Sequence, residues 1–468
     1  MVESVGKYQR YAEYKDSEVE WLGEIPSDWE VKKLKYLGEA IIGLTYSPDD
    51  VVDDETQGIL VLRSSNVQNK KLAFEDNVYV NKKISEKLTT QKGDILICAR
   101  NGSRALIGKN AVIDESAEGL TFGAFMSIFR SSFNGYLSNV FNSALFEYQS
   151  GTFLTATINQ LTTANLNNFE VPLPPIEERR KIIDFLDHET AKIDSLIEKQ
   201  KQLIQLLKEK RQAVISHAVT KGLDPSVKMK DSGVEWLGEV PEHWKITTIR
   251  NLIRSANLQL QDGNHGELHP VANDYVEVGI PFLMANNIRN GLVDLSSVKR
   301  IPRRIADKLR IGFSKAEDML LTHKGTVGEV ALVPLNMEDD YWMLTPQVTY
   351  YRWNKKYFLS EYFYYHFQSN SIQDQLGIIG GKQSTRAYVG LIAQGDLIVT
   401  IPPIAEQKEI AANLNIKNLE YLNMIEKAES AIQLMQERRT ALISAAVTGK
   451  IDVRNWQNPN DAKMELSA

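Results

Sequence analysis

Two long stretches of the chain carry apolar residues at alternating spacings of three and four positions. The first stretch runs from Ile183 to Val214 and the second from Ala411 to Leu442. This spacing is typical of a coiled-coil seam, so we predict two long helices of about 44 residues, or about 66 Å, that pair with each other. The predicted helix-pairing seam consists of Ile183, Leu186, Ile193, Ile197, Ile204 and Leu207, with Leu414, Tyr421, Ile425, Ile432, Met435 and Leu442.

The connection between these helices predicts their relative direction. The first helix is expected to end near Val219, and a short polar linker, residues 221–233, leads into the segment before the second helix. Because the second helix then begins near the end of the first, the pair is predicted to be antiparallel. Pro174-Pro175 and Pro402-Pro403 precede the helices, where proline is tolerated.

Shorter apolar runs outside the helices predict sheets mixed with short helices. Strands are predicted at 58–62, 94–98, 318–321 and 347–351, and helices at 137–149 and 359–375. The predicted fold class is therefore α/β (mixed α+β). It comprises two domains of mixed sheet and helix, separated by two long helices that form an antiparallel coiled coil with pseudo-two-fold symmetry.

The sequence is also repeated internally. Residues 15–26 recur as residues 230–241 at an offset of 215, and residues 171–224 recur as residues 399–452 at an offset of 228. Each half is thus a shared frame around a divergent insert. The predicted segments are 1–170 (N-terminal arm and first insert domain), 171–222 (first helix), 223–398 (linker and second insert domain), 399–456 (second helix) and 457–468 (polar tail).

Composition narrows the class of protein. The 468 residues suggest two or more domains, and 43% apolar with 24% charged residues is typical of a folded soluble protein. The net charge of −6 argues against a protein that coats nucleic acid without specificity, although it allows a local basic face. We find no apolar run of about 20 residues and no secretory signal. With Cys98 as the single cysteine, this predicts a cytoplasmic protein that contacts no membrane.

Motifs that would indicate catalysis are not found in the sequence. The closest match to a phosphate-binding loop, Gly380 to Gln383, has Leu376 in place of the first glycine and Gln383 after the lysine. We therefore predict a binding protein with no catalytic residue, no metal site and no cofactor of its own. Two alternatives remain: a self-contained methyltransferase or nuclease with a degenerate motif, and a structural protein that bridges two protein-binding domains.

Several basic and amide residues suit contacts with DNA. Arg303 and Arg304 lie in a basic run that corresponds, at an offset of 221, to Lys82 and Lys83. Arginine, lysine, asparagine and glutamine are the residues that contact phosphates and base edges. The predicted DNA-binding residues are Lys82, Lys83, Arg100, Arg104, Asn159, Gln160, Arg303, Arg304, Lys324, Lys382, Gln383 and Arg386.

This plan resembles the specificity (S) subunits of Type I restriction–modification enzymes. The motifs that carry the resemblance are Glu20-Trp21-Leu22-Gly23 with Pro26 and Trp29, their copies Glu235-Trp236-Leu237-Gly238 with Pro241 and Trp244, Gly93-Asp94, the Pro-Pro-Ile-x-Glu starts at 174 and 402, and residues 446–452. The resemblance as a whole covers about residues 10–456. Glu317-Asp318 departs from the glycine-aspartate pair, and Glu178-Arg179 departs from the family's usual Glu-Gln.

The resemblance implies a non-catalytic subunit that determines which DNA sequence is modified. Each of two target recognition domains would recognise half of a bipartite gapped site in double-stranded DNA. The helices would set the spacer and dock two methyltransferase (M) subunits, with separate restriction and translocase (R) subunits. S-adenosylmethionine, ATP and Mg²⁺ are then expected in the partner subunits and not in this chain.

Overall fold

A computed structural model describes residues 8–153, 159–266, 268–381 and 387–459 of the chain. The chain divides into two compact units. Unit 1 comprises Met1–Lys201 and Ser430–Ala468, and unit 2 comprises Gln202–Glu429. Each unit therefore combines one divergent insert with one part of each long helix.

The first half of the chain contains the first insert and the long helix that follows it. Its strands are β1 (Tyr14–Asp16), β2 (Glu24–Pro26), β3 (Glu30–Lys33), β4 (Glu39–Ile42), β5 (Val51–Val52), β6 (Ile59–Leu62), β7 (Val67–Gln68), β8 (Lys71–Leu72), β9 (Tyr79–Val80), β10 (Ile95–Cys98), β11 (Asn110–Val112), β12 (Thr121–Phe122), β13 (Met126–Arg130) and β14 (Glu170–Leu173). Its helices are α1 (Asn134–Phe141), α2 (Ala144–Phe153), α3 (Thr163–Asn167) and the long α4 (Ile176–Lys221).

The elements of the second half follow a closely similar order. Its strands are β15 (Met229–Asp231), β16 (Glu239–Pro241), β17 (Lys245–Thr248), β18 (Leu258–Asp262), β19 (Ile280–Leu283), β20 (Ile288–Arg289), β21 (Leu292–Val293), β22 (Lys299–Ile301), β23 (Phe313–Ser314), β24 (Met319–Lys324), β25 (Thr326–Leu332), β26 (Trp342–Leu344), β27 (Val348–Trp353) and β28 (Ile398–Ile401). Its helices are α5 (Ile249–Arg254), α6 (Arg303–Ala306), α7 (Ser360–Gln368), α8 (Asn370–Gly380), α9 (Leu391–Gly395) and the long α10 (Ile404–Val447).

Each unit contains two four-stranded sheets. In unit 1 the strand orders are β11-β10-β13-β4 and β12-β6-β9-β5, and in unit 2 they are β25-β24-β27-β18 and β22-β19-β26-β23. The first sheet of each unit is antiparallel throughout, and the second contains one parallel pair, β12 with β6 or β26 with β19. The two inserts, which match only faintly in sequence, thus share the topology of their first sheet.

The central strand β10 is apolar at every position because both of its faces are buried. Ile95 and Ile97 lie in one hydrophobic core of unit 1, whereas Leu96 and Cys98 lie in another. Successive side chains of a strand point to opposite faces, so a strand covered on both faces needs apolar residues at every position.

Within each unit, the two long helices pack against each other in opposite directions. In unit 1, Ile182 and Leu186 of α4 share a core with Ile443 and Val447 of α10. Further along α4, Asp194 accepts a hydrogen bond at 2.9 Å from the guanidinium Nε of Arg439, so rising numbers in α4 meet falling numbers in α10. In unit 2 the corresponding guanidinium of Arg211 donates to Asn418 of α10. The predicted fold class, with its antiparallel pair of long helices, is confirmed.

The predicted seam residues lie on the covered faces of these helices. Ile197 and Ile425 are each only 8% exposed, whereas the adjacent Leu196 and Met424 are 51% and 42% exposed. The remaining predicted seam residues are all buried or half-buried. The apolar spacing therefore indicates the correct face of each helix.

The predicted helices at 137–149 and 359–375 are each broken into two. The side chain of buried Ser143 donates to the Val140 carbonyl at 2.6 Å, and α1 ends before it. Ser369 makes the same 2.6 Å bond to the His366 carbonyl between α7 and α8. A serine hydroxyl that bonds back to a carbonyl competes with the helical backbone pattern, which the apolar spacing alone does not reveal.

The tryptophan motif that is repeated in the sequence anchors the start of a long helix in each unit. The buried indole of Trp29 donates to Glu178 of α4 at 3.0 Å, and that of Trp244 donates to Glu406 of α10 at 3.0 Å. Glu178 also accepts a hydrogen bond from the buried hydroxyl of Tyr11. Burial and this carboxylate together raise the pKa of Tyr11, so the phenol stays protonated and remains a donor.

Replacing Glu178 with Ala is expected to lower the free energy of unfolding by about 2–6 kcal/mol. The substitution leaves the Trp29 indole and the Tyr11 hydroxyl buried without this acceptor, at a cost of about 1–3 kcal/mol for each group. Glu177→Ala is the matched control, because that exposed side chain pairs with Arg180 on the helix surface. Chemical denaturation monitored by tryptophan fluorescence would measure both values, and equal losses would contradict the anchoring role.

Candidate nucleic-acid interface

The two predicted basic runs follow equivalent strands, β9 in unit 1 and β22 in unit 2, but only some of their cations are unpaired. Lys82 lies 3.1 Å from Asp50 and donates to the Thr45 carbonyl. Lys83 is exposed, and within the described ranges it forms no ion pair. Lys83 is therefore the cation of this run that is available to a phosphate.

In unit 2 the corresponding run shows the same division. Arg303 lies 3.3 Å from Asp340 and over the ring of Tyr341. Asp307, an acidic residue in the same basic run, accepts a hydrogen bond from the Tyr341 hydroxyl. Arg304 is exposed and has no ion pair among the residues that the structure describes. Since Arg304 corresponds to Lys83, each unit presents one unneutralised cation at the same point of its fold.

The segment that follows each predicted central strand, 94–98 or 318–321, has a different form in the two units. Residues 99–109 form an irregular connection that contains a 3-10 turn at Arg104–Leu106. In unit 2, β24 instead continues to Lys324 and turns directly into β25, with Gly325 at a φ of +83°. This φ lies in the left-handed region that favours glycine. The central strand of unit 2 is therefore longer than the predicted 318–321, and it ends in a tight hairpin.

The structure brings each of these early segments together with a late segment of the same insert. Arg100 forms an isolated antiparallel bridge with Gln160, and Lys324 forms one with Tyr388. Asn159 donates to the Gly102 carbonyl at 3.3 Å. The predicted residues Arg100, Asn159 and Gln160 thus lie at one edge of unit 1. Lys382, Gln383 and Arg386 lie outside the described residues.

Arg104 lies apart from this edge, because its guanidinium donates to the Gly151 carbonyl of α2 at 3.3 Å. Sequence reasoning also missed residues at the edge. Phe125 is 60% exposed directly before β13, and its ring lies 5.2 Å from the Arg100 guanidinium carbon. Gln347 is exposed directly before β27, and Tyr388 is 53% exposed. No periodicity distinguishes an exposed residue that directly precedes a buried strand, so no sequence pattern indicates Phe125 or Gln347.

The remaining titratable groups of interest are buried within the fold. Burial lowers the pKa of His366 to about 4 and also lowers the pKa of His323, so both imidazoles are neutral at pH 7. Burial raises the pKa of the Cys98 thiol, which therefore stays protonated. Over residues 8–153, 159–266, 268–381 and 387–459, no group of three or more His, Cys, Asp or Glu side chains is placed to hold a metal ion.

Among the residues that the structure describes, no helix has both the length and the apolar character to cross a bilayer.

The comparison with family models identifies the first half of the chain. Residues 26–206 match the model described as the Type I restriction modification DNA specificity domain. Residues 26–206 are therefore similar to a Type I DNA specificity domain. The tryptophan-motif anchor and the start of the long helix both fall within the matched residues.

Two relatives extend the similarity to nearly the whole length of the chain. The EcoKI specificity subunit of the Type I restriction enzyme from Escherichia coli (strain K12) is 24% identical over 460 residues, 95% of this chain and 94% of that protein. A putative Type I MjaX specificity subunit from Methanocaldococcus jannaschii is 25% identical over 449 residues, 92% of this chain and 96% of that protein. The resemblance seen in the sequence is confirmed.

A solved structure supports the fold. One of its chains, from a study of complex assembly and conformational transition of the type I R-M system, matches with a TM-score of 0.64 at 12% identity. The match covers 90% of this chain and 98% of that chain. At this identity the likeness concerns the fold of the chain alone.

Proposed function

We propose that this protein is the DNA-specificity subunit of a Type I restriction–modification complex, in which each unit recognises one half of a bipartite gapped site. One observation carries the proposal. The two units repeat the same central sheet, strand for strand, yet present different exposed side chains at the same edge of it. A repeated scaffold with divergent edge residues suits the recognition of two different DNA half-sites.

The proposed complex includes partner subunits that perform the chemistry. Two M subunits would dock on the long helices, which would also set the spacer, and R subunits would join them. S-adenosylmethionine, ATP and Mg²⁺ would bind to those partners, while this chain would act in the cytoplasm without catalysing a reaction. The proposed domain functions follow the predicted segments, with recognition in 1–170 and 223–398 and scaffolding in 171–222 and 399–456.

The partner requirement provides the direct test of this function. The purified chain is expected to transfer no methyl group to DNA, and addition of the M subunit should produce methylation of a defined two-part motif. Because the frame is duplicated, the active complex should contain two M subunits for each copy of this chain. Methyl transfer by the purified chain alone would contradict the proposal, and mass measurement of the complex would check the stoichiometry.

Substitution of the unneutralised cations tests the proposed contacts with phosphates. Arg304→Ala or Lys83→Ala is expected to weaken binding to all DNA sequences and to reduce the slope of log affinity against log salt by about 1. The control is Lys356→Ala, since this exposed lysine follows the far end of β27. Fluorescence anisotropy at several salt concentrations measures the slope. A protein that only bridges other proteins would show no salt-sensitive DNA binding in any variant.

A further inference from the structure

In each unit, the recognition edge is the end of the first sheet where the isolated bridge lies, at Arg100 and Gln160 or at Lys324 and Tyr388. Backbone hydrogen bonds define equivalent positions at the recognition edges of the two units. The amide of Ala99 donates to the Phe125 carbonyl at 3.0 Å, and the amide of His323 donates to the Gln347 carbonyl at 3.0 Å. Ala99 and His323 both stand five positions after the buried aspartate before the central strand. Phe125 in unit 1 and Gln347 in unit 2 therefore occupy the same position of the fold.

A second pair of backbone bonds extends this equivalence to the late segment of each insert. The amide of Leu161 donates to the Ala99 carbonyl at 2.7 Å, and the amide of Val389 donates to the His323 carbonyl at 2.9 Å. The residue before each of these donors forms the isolated bridge to the early segment. Gln160 and Tyr388 are thus equivalent.

The bridges complete a set of three equivalent positions in each unit. The position six residues after the buried aspartate holds a cation, Arg100 or Lys324. We name the three residues of each unit its edge triplet: Arg100, Phe125 and Gln160 in unit 1, and Lys324, Gln347 and Tyr388 in unit 2. Both triplets contain one cation, one aromatic residue and one glutamine, but the aromatic residue and the glutamine have exchanged positions.

The aromatic members are exposed although their neighbours are buried. Phe125 is 60% exposed while the next residue, Met126, is 1% exposed, and Tyr388 is 53% exposed while Val389 is fully buried. Neither ring therefore contributes its full area to a core. Large exposed aromatic side chains at a recognition edge suit contact with a partner surface.

Contacts within the fold also restrain the triplet side chains. The Arg100 guanidinium carbon lies 5.2 Å from the Phe125 ring centroid. The ring centroids of Tyr388 and the buried His323 are 5.6 Å apart, and the Gln347 side-chain oxygen accepts from the Ala285 amide at 3.2 Å. Restrained side chains lose less conformational entropy when they bind, which favours a specific contact.

We propose that the edge triplets are the specificity-determining residues of the two units, and that the exchange of aromatic residue and glutamine makes the two half-sites differ. This inference rests on the proposed function. Each type of triplet residue can contact a particular base in the major groove of DNA. Arginine or lysine pairs with guanine, glutamine pairs with adenine, and an aromatic ring contacts the methyl group of thymine.

Conversion of one triplet into the other tests the inference in the full chain bound to its M subunit. The variant carries Arg100→Lys, Phe125→Gln and Gln160→Tyr, which gives unit 1 the triplet of unit 2. Sequencing that detects methylated bases gives the modified motif. We expect the first half-site to change at one to a few base positions, while the second half-site and the spacer stay the same.

The matched control places the same kinds of change at the opposite end of the sheet. Lys35→Arg with Tyr36→Gln alters an exposed cation and aromatic pair, with 4.9 Å between the lysine nitrogen and the ring centroid. These residues lie just before β4, next to the Glu39–Arg130 pair at one end of β13. Phe125 lies at the opposite end of β13. The motif of the control variant should be that of the unaltered chain.

A single substitution keeps the test decisive if the triple variant loses all modification. Gln347→Glu retains the shape but replaces the amide donor with an acceptor. We expect discrimination at one base position of the second half-site to fall roughly 10- to 100-fold, measured as relative binding to duplexes that vary at that position. Unchanged discrimination in Gln347→Glu, or an unchanged motif in an active triple variant, would overturn the inference. If the unaltered complex modified no two-part motif, the proposed function would fail instead.

Discussion

Replacing Ile197 and Ile425 with Asp is expected to abolish both folding of the helix pair and DNA binding. Each side chain is 8% exposed on the covered face of its helix, Ile197 in unit 1 and Ile425 in unit 2. A carboxylate placed there has no partner and costs roughly several kcal/mol at each site. This cost is comparable to the stability of a whole domain. Neither isoleucine belongs to the proposed recognition edges, so a loss of binding would arise through the scaffold.

The same helices offer a closely matched control. Leu196→Asp and Met424→Asp introduce the same carboxylate one position away, where the side chains are about half exposed. These variants should melt within a few degrees of the unaltered chain and bind DNA with similar affinity. Differential scanning calorimetry and anisotropy would measure both properties. If the isoleucine variants kept their DNA affinity, the seams would not contribute to the active fold.

The long helices were predictable because their signal is local and repeated. Leu186, Ile193 and Ile197 recur at spacings that only one face of a helix satisfies, and α10 repeats the pattern at the same offset. The strand β10 was predictable because an uninterrupted run of four apolar residues is typical of a strand covered on both faces. In each case the residues that determine the element lie within the element itself.

The helix breaks and the hairpin at Gly325 were not predictable in the same way. Ser143 and Ser369 end their helices through side-chain bonds to carbonyls three residues earlier. A serine with the same neighbours can also continue a helix, so the apolar spacing extends through the break. Near Gly325, a bulge in β24 and pairing with β25 extend the strand beyond its predicted end at residue 321.

The recognition edge depends on contacts that are distant in sequence. Gln160 reaches Arg100 across 60 positions, and Phe125 joins them only because β13 pairs with β10. Residue type alone indicated Arg100 and Gln160 as groups that can pair with bases. It could not indicate Phe125, since an aromatic residue beside a buried strand is more often part of a core. The exchange of glutamine and aromatic residue between the units appears only after backbone bonds align them.

Transplanting residues 249–397 from a relative with a different DNA target is expected to change one half-site completely. The cut points follow from the structure, because β17 and β28 pair from Lys245–Ile401 to Thr248–Ile398 and would remain those of the host. The ends of the transplant lie together, with the Ile249 amide donating to the Leu397 carbonyl at 3.0 Å. An insert with adjoining ends can be exchanged without lengthening or straining the frame around it.

The corresponding exchange in unit 1 is residues 34–169, where the Leu34 amide donates to the Phe169 carbonyl at 2.9 Å. Each exchange should alter only the half-site of its own unit, because the host keeps both long helices and the other recognition edge. Methylation sequencing of the two single exchanges and of the double exchange would measure the motif. The double exchange should combine both changes with the original spacer. If either single exchange altered both half-sites, the two units would recognise one shared element of the DNA, and independent recognition by the two edges would be excluded.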